Sequence, residues 1–187
     1  LAIHKKGVIF APDFITLDSA DGGTGASPQG LMDYMGIPIT ESLPKLVDIL
    51  TLYNLRQRIK IIASGKLITP AEVTWALCAG ADFINSARGF MLALGCIQSM
   101  KCHKNTCPTG ITTHNPRLQR GLVIEDKAER VYHYPNNMIH EVAILSHSCG
   151  VDEPRLLQRK HARVVRDDGF SVSLADIFPD QTPLPQY

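Results

Sequence analysis

IKIIASGKLITPAEVTWALCAGADFINSARG, residues 59–89, is the stretch that decides the fold. Residues 59–64 run apolar and stop at Gly65 and Lys66. A run of this kind suits a strand of a parallel sheet buried on both faces, where neither side meets water. Thr69 then stands where a helix N-cap belongs, Pro70 at the first helical position, and Gly80 where a helix closes. Residues 81–89, ADFINSARG, repeat the strand pattern. Strand, helix, strand in this order predicts a parallel βαβ unit.

The same grammar extends upstream. DFITLDSA, residues 13–20, reads as an earlier strand that ends at the glycine-rich DGGTGASP. Between it and residue 59 lies ESLPKLVDILTLYNLRQR, whose Leu43, Leu46, Val47, Leu50 and Tyr53 recur on one helical face. Three βα units in 187 residues are too few for a closed eightfold barrel, which takes about 250 residues. The opening LAIHKKGVIFAP resembles the tail of a helix, so the expectation is that an N-terminal portion is missing or comes from another chain. Downstream, residues 123–149 carry helical spacing broken near Pro135, where HYPNNM is expected to be a kink or a junction between two helices. Residues 152–160 read as a short helix, and QTPLPQY at the end as a fraying tail.

Composition narrows the function classes. The 44% hydrophobic content is that of a globular chain with a sizeable core. Lysine and arginine number 19 against 18 acidic residues, so no net field draws the chain to nucleic acid or an anionic membrane. No apolar run approaches the roughly 20 residues that span a bilayer, and no signal-peptide pattern opens the sequence. The expectation is a cytoplasmic protein with a small-molecule substrate and neither nucleic acid nor membrane as partner.

Five cysteines, an odd number, fit a reducing compartment better than a disulfide framework. Cys78 and Cys149 lie in helix-like apolar runs and read as small hydrophobes. Cys96, Cys102 and Cys107, in GCIQSMKCHKNTCPTG, are different. Three thiolates in one short loop select a soft metal centre, an iron-sulfur cluster, zinc or cuprous copper. Paired zinc knuckles are lacking, so zinc would need a fourth ligand such as His103 or His114. His4, His133, His140, His147 and His161 show no ligand spacing.

Gly22, Gly23, Thr24 and Gly25, after Asp21, follow the first strand, where a parallel sheet places its ligand loops. The motif alone is equally plain turn chemistry. Gly65 and Lys66 follow the second strand, and Ala87 and Arg88 the third. Consecutive loops of this kind bind phosphate in barrel enzymes through backbone N–H groups. Lys66 and Arg88 read equally well as solvated surface charges.

DSADGGTGASP, IIASGKLITPAEV and NSARGFMLALGCIQSMKCHKNTCPTGITTHNPRLQRGLVIEDKAERV together resemble the FMN-binding domain of the glutamate synthase family. The resemblance spans about residues 8–132 and runs more loosely to 178. It implies the last three βα units of a (β/α)8 TIM barrel, with 1–122 a partial FMN-binding domain and 123–187 a helical extension and tail. It further implies that Cys96, Cys102 and Cys107 hold a 3Fe-4S cluster and that Gly65, Lys66, Ala87 and Arg88 line the flavin phosphate. The Gly22–Gly25 loop would face flavin or substrate. The implied reaction is reduction of 2-iminoglutarate, from 2-oxoglutarate and ammonia, to L-glutamate, with electrons from a donor protein or reductase subunit. The earlier barrel strands, one with a lysine near the flavin, have no counterpart in this sequence, nor does a glutaminase domain. Two other readings stand beside it: a non-catalytic iron-sulfur electron-transfer module or split-chain half needing its partner, and a structural zinc domain.

Overall fold

Three short strands carry the fold in the computed structural model, which describes residues 2–21, 31 and 35–185. A short helix α1 (Ala2–Lys6) leads to strand β1 (Phe14–Asp18), bearing out the helical reading of the opening segment. Helix α2 (Ile39–Leu52), strand β2 (Lys60–Ser64), helix α3 (Pro70–Ala79), strand β3 (Phe83–Asn85) and helix α4 (Ala87–Ala93) follow. The strands pair in parallel in the order β1-β2-β3. This is the predicted βαβ alternation, and it is compatible with part of a barrel.

Helix α3 has the punctuation its sequence announces. Thr69 accepts the Glu72 N–H at 3.3 Å while the Glu72 carboxylate accepts the Thr69 N–H at 2.8 Å, a reciprocal capping box. Gly80 ends the helix at φ 108°, a left-handed conformation that glycine adopts without a Cβ clash. Helix α2 starts at Ile39, earlier than expected, and stops at Leu52. Leu43 and Leu50 are buried, but Tyr53 lies beyond the helix and is exposed, so it does not join the apolar face.

One face of the sheet is packed. Ile61 and Ala63 have no exposed surface, and Ile15, Leu17 and Ile84 join them against Leu43, Val73 and Ala76 from α2 and α3. The opposite face is open among the described residues: Phe14 and Phe83 are 59% and 48% exposed. The expectation of strands buried on both faces therefore holds for one face only, because both crossover helices lie on the same side.

Two short segments follow α4: a 3-10 turn at Cys102–Lys104 and helix α5 (Pro116–Gln119). Helix α6 (Ile124–Ser148) then packs on α3 and α4. It continues through Pro135 as one helix, so HYPNNM is not a junction between two helices. A proline removes one backbone donor, and here the Asn136 side-chain amide donates to the Tyr132 carbonyl at 2.7 Å, adding a local bond beside the gap. Residues 154–161 form two 3-10 turns in place of a helix. An antiparallel hairpin, β4 (Arg163–Val165) with β5 (Ser171–Ser173), leads to helix α7 (Leu174–Ile177), so the C-terminal part is not helical throughout. The tail is held as far as Leu184, whose N–H donates to the Leu52 carbonyl at 2.9 Å. Among the described residues no helix is long and apolar enough to cross a membrane.

Candidate functional site

The strands finish in one line. Asp18 pairs with Ser64 and Ser64 with Asn85 in the parallel register, so three polar side chains stand side by side at the carboxyl edge. All three line a cleft of about 730 Å³, within the roughly 300–1,000 Å³ of small-molecule sites. Sequence reading passed over these residues. The signal was available: each is the last residue of a strand in a repeated βα pattern, and such positions carry ligand contacts in parallel α/β folds.

The loops after the strands are shaped by close backbone approach. At Gly65 an added Cβ would collide with the Ser19 hydroxyl and lie 2.9 Å from Ile39 Cβ, so only glycine lets the β1 and β2 loops meet. Ser19 donates to the Asp21 carboxylate at 3.1 Å, and the same carboxylate accepts the Ile39 N–H at the start of α2. Lys66 sits at φ 50°, a left-handed conformation uncommon for a residue with a side chain.

Gly65, Lys66, Ala87 and Arg88 all line the cleft, as do Cys96 and Cys102. The two sequence-predicted groups, the phosphate loops and the cysteine loop, thus converge on one space. Met35, Met91 and Met100 give it an apolar wall. Gly22, Gly23, Thr24 and Gly25 lie outside the described residues.

Cys107 stands apart, buried and 3.3 Å from the Thr109 hydroxyl. Burial pushes its thiol up, but hydrogen bonding by Thr109 and the Thr112 backbone outweighs that and brings it down to about 6. The Thr112 hydroxyl also lies near this sulfur, although it forms no hydrogen bond of ordinary geometry. Cys96 accepts the Gln98 N–H at 3.4 Å, and Cys102 is exposed. Among the described residues no three Cys, His, Asp or Glu side chains converge to hold one metal ion. The triplet fits a soft metal centre in donor chemistry; its three sulfurs are not assembled in this conformation. Gln98, Met100 and Asn105 in the same loop all have positive φ, at 54–56°. Asn105 fastens the loop, accepting the His114 N–H at 2.6 Å and the Thr113 hydroxyl at 2.8 Å on its carbonyl.

Of the remaining cysteines, Cys78 is buried as expected, and burial with the neighbouring Cys149 raises its thiol to about 11. Cys149 is exposed, a correction to its reading as a packed hydrophobe: it follows the last turn of α6, where the helix leaves the core.

Fold and site define a parallel α/β chain whose strand-end loops and a cysteine-rich segment enclose one cleft. Residues 2–152 match the family described as the conserved region in glutamate synthase, and the chain belongs to the glutamate synthase family. It is 42% identical over 166 residues to the glutamate synthase large subunit-like protein YerD of Bacillus subtilis, covering 89% of this chain and 32% of that protein. It is 34% identical over 152 residues to the archaeal NADPH glutamate synthase of Methanocaldococcus jannaschii, covering 81% and 30%. With the large chain of the NADPH glutamate synthase of Bacillus subtilis the identity is 37% over 108 residues, covering 58% and 7%. The chain thus spans about a third or less of the length of these relatives.

Proposed function

We propose that this chain forms the C-terminal part of a flavin- and iron-sulfur-dependent oxidoreductase of glutamate synthase type. The observation that carries this reading is the convergence of Gly65, Lys66, Ala87 and Arg88 with Cys96 and Cys102 on one cleft at the carboxyl edge of a parallel sheet. β1, β2 and β3 are the last three strands of a (β/α)8 barrel, with residues 1–122 the partial barrel and 123–187 its extension. The open face bearing Phe14 and Phe83 supports this, because a barrel strand buries its inner face against the rest of the barrel.

In this reading Gly65, Lys66, Ala87 and Arg88 hold the phosphate of FMN, and Cys96, Cys102 and Cys107 the 3Fe-4S cluster. Bound flavin supplies hydride chemistry for reducing 2-iminoglutarate to L-glutamate, and the cluster supplies electrons from a donor protein or reductase subunit. The chain's own residues bind and orient. Gly65 lets the β1 and β2 loops meet beside the cleft, Arg88 adds positive charge, and the methionines offer an apolar wall. Asp18, Ser64 and Asn85 give the cleft a polar floor. The remaining barrel strands come from an N-terminal portion, and the protein works in the cytoplasm.

The deciding measurement is the flavin, iron and zinc content of the purified protein with its visible spectrum. FMN and iron with overlapping flavin and cluster bands support the reading. Zinc without flavin replaces it with the structural zinc domain, and iron without flavin binding leaves the electron-transfer module.

A further inference from the structure

Tyr134 does not line the cleft, yet its hydroxyl bonds to both loops that form the proposed phosphate wall. It donates to the Ile68 carbonyl at 2.8 Å and lies 2.8 Å from the Ser86 hydroxyl. A phenol carries a single proton, and a carbonyl oxygen only accepts. Ser86 is therefore the donor to the Tyr134 oxygen, and one phenol joins the two loops from α6.

The neighbours on each side are the predicted site residues. Ser86 immediately precedes Ala87 and Arg88, and although it occupies the N-cap position of α4 its side chain makes no cap bond. Ile68 lies two residues after Lys66, and its N–H is held by the Glu72 carboxylate at 2.9 Å. The α3 capping box thus fixes one side of Ile68 and Tyr134 the other.

The fit leaves no slack. The Tyr134 ring packs edge-on against Phe90, with centroids 5.1 Å apart at 78°. At buried Gly89 an added Cβ would collide with the Tyr134 hydroxyl and lie 2.7 Å from Ser86 Oγ. The glycine after Arg88 is thereby explained: it leaves room for a tyrosine that reaches in from another helix.

We propose that Tyr134 is a positioning residue, setting the separation of the β2–α3 and β3–α4 loops and, through it, the affinity of the cleft for a flavin's phosphate. The inference rests on the phosphate reading of those loops. A phosphate held from both loops at once is sensitive to their spacing, because each donor must stay within hydrogen-bond reach. An isoalloxazine ring resting on apolar wall is less so.

The test compares FMN with riboflavin, which lacks the phosphate, by flavin-fluorescence titration of the protein with its N-terminal barrel portion present, as wild type, Tyr134→Phe and Ser86→Ala. Tyr134→Phe keeps the ring and its Phe90 contact and removes only the bridge. Expected is a loss of FMN affinity of about fivefold, with riboflavin changed less than about twofold. Amide hydrogen exchange at residues 66–68 and 86–88 should quicken in the same variant. Ser86→Ala should move both readouts in the same direction, and it carries the test should the tyrosine variant not fold. Unchanged FMN affinity in folded variants of a wild type that prefers FMN overturns the role of Tyr134 and leaves the phosphate reading standing. Equal losses for FMN and riboflavin also overturn it, since a merely structural residue would act on both. A wild type that binds the two ligands alike, or neither, overturns the phosphate reading and this inference with it.

Discussion

Arg56 closes the amino end of the sheet on Asp82, its guanidinium 2.8 Å from the carboxylate. Asp82 also accepts the Ile61 N–H at 2.9 Å, and Arg56 donates to the Gly80 carbonyl at 2.8 Å. The pair joins the starts of β2 and β3 at the end of the strands away from the cleft. Burial alone would raise the Asp82 carboxyl; the Ile61 N–H, Arg56 and Lys60 outweigh it and hold the carboxyl below its ordinary value.

A depressed folded pKa means stability that is present above the unfolded value, about 3.9 for aspartate, and lost as pH falls through the folded value. Asp82→Ala, which strands a mostly buried guanidinium, should cost about 3 kcal/mol in urea denaturation at pH 7. Asp82→Asn should flatten the loss of stability between neutral pH and pH 3. Unaltered acid sensitivity in that variant would show that other carboxylates dominate.

Cys102→Ala should abolish iron retention, as should Cys96→Ala and Cys107→Ala. Three ligands are needed together, and a dithiolate remnant holds a cluster poorly. Cys78→Ala is the control: its thiol is buried in α3, and iron content should not change. Iron analysis and the cluster spectrum decide it, and a Cys102→Ala protein with full iron and an intact spectrum would remove the ligand assignment.

How far the sequence led depends on the kind of signal. Thr69, Pro70 and Gly80 announce α3 because capping chemistry is local, and the structure realises each of them. Gly65 and Arg88 were legible because a parallel sheet sends its loops to one edge. Tyr134 was not: its partners Ser86 and Ile68 are 48 and 66 residues away, and nothing local to HYPNNM marks a hydroxyl that crosses between helices. The two-helix alternative at Pro135 failed for the related reason that packing against α3 and α4 keeps α6 one helix through it. The hairpin Arg163–Val165 with Ser171–Ser173 is too short for period-two alternation to register.

Arg88→Ala should weaken FMN retention by about tenfold or more, the scale of one charge-assisted hydrogen bond to a phosphate. Riboflavin affinity should stay within about twofold, because riboflavin carries no phosphate for this charge to pair with. Equilibrium dialysis with each ligand checks both halves. Equal FMN affinity in mutant and wild type would return Arg88 to the solvated surface.

Thiol chemistry separates the two cysteines outside the cysteine-rich loop. Iodoacetamide attacks the thiolate, and Cys78, raised to about 11, holds almost none at pH 8, whereas Cys149 is exposed. Mass spectrometry of the native protein should find Cys149 labelled and Cys78 spared at pH 8. Cys78 labelling should climb about tenfold per pH unit below its pKa, as its thiolate fraction does. Early labelling of Cys78 would mean that α3 opens readily from α6.

Arg159 is a buried cation with 6% exposure, and it ties the C-terminal segment to α2. One nitrogen pairs with Asp48 at 2.6 Å and reaches the Pro44 carbonyl at 3.3 Å; the other donates to the Phe178 carbonyl at 2.8 Å. No lysine could replace this fork, whose donors point to both segments at once. Arg159→Ala should therefore cost about 4 kcal/mol, since it leaves the Asp48 carboxylate unpaired beside a cavity. Adding Asp48→Ala to it should cost less than the sum of the two single changes, and a double-mutant cycle in urea reads that coupling directly. Additive losses would mean that Arg159 acts only through the carbonyls of Pro44, Phe178 and Pro179. The hairpin and α7 would then be held by the backbone bonds, with the ion pair contributing nothing of its own.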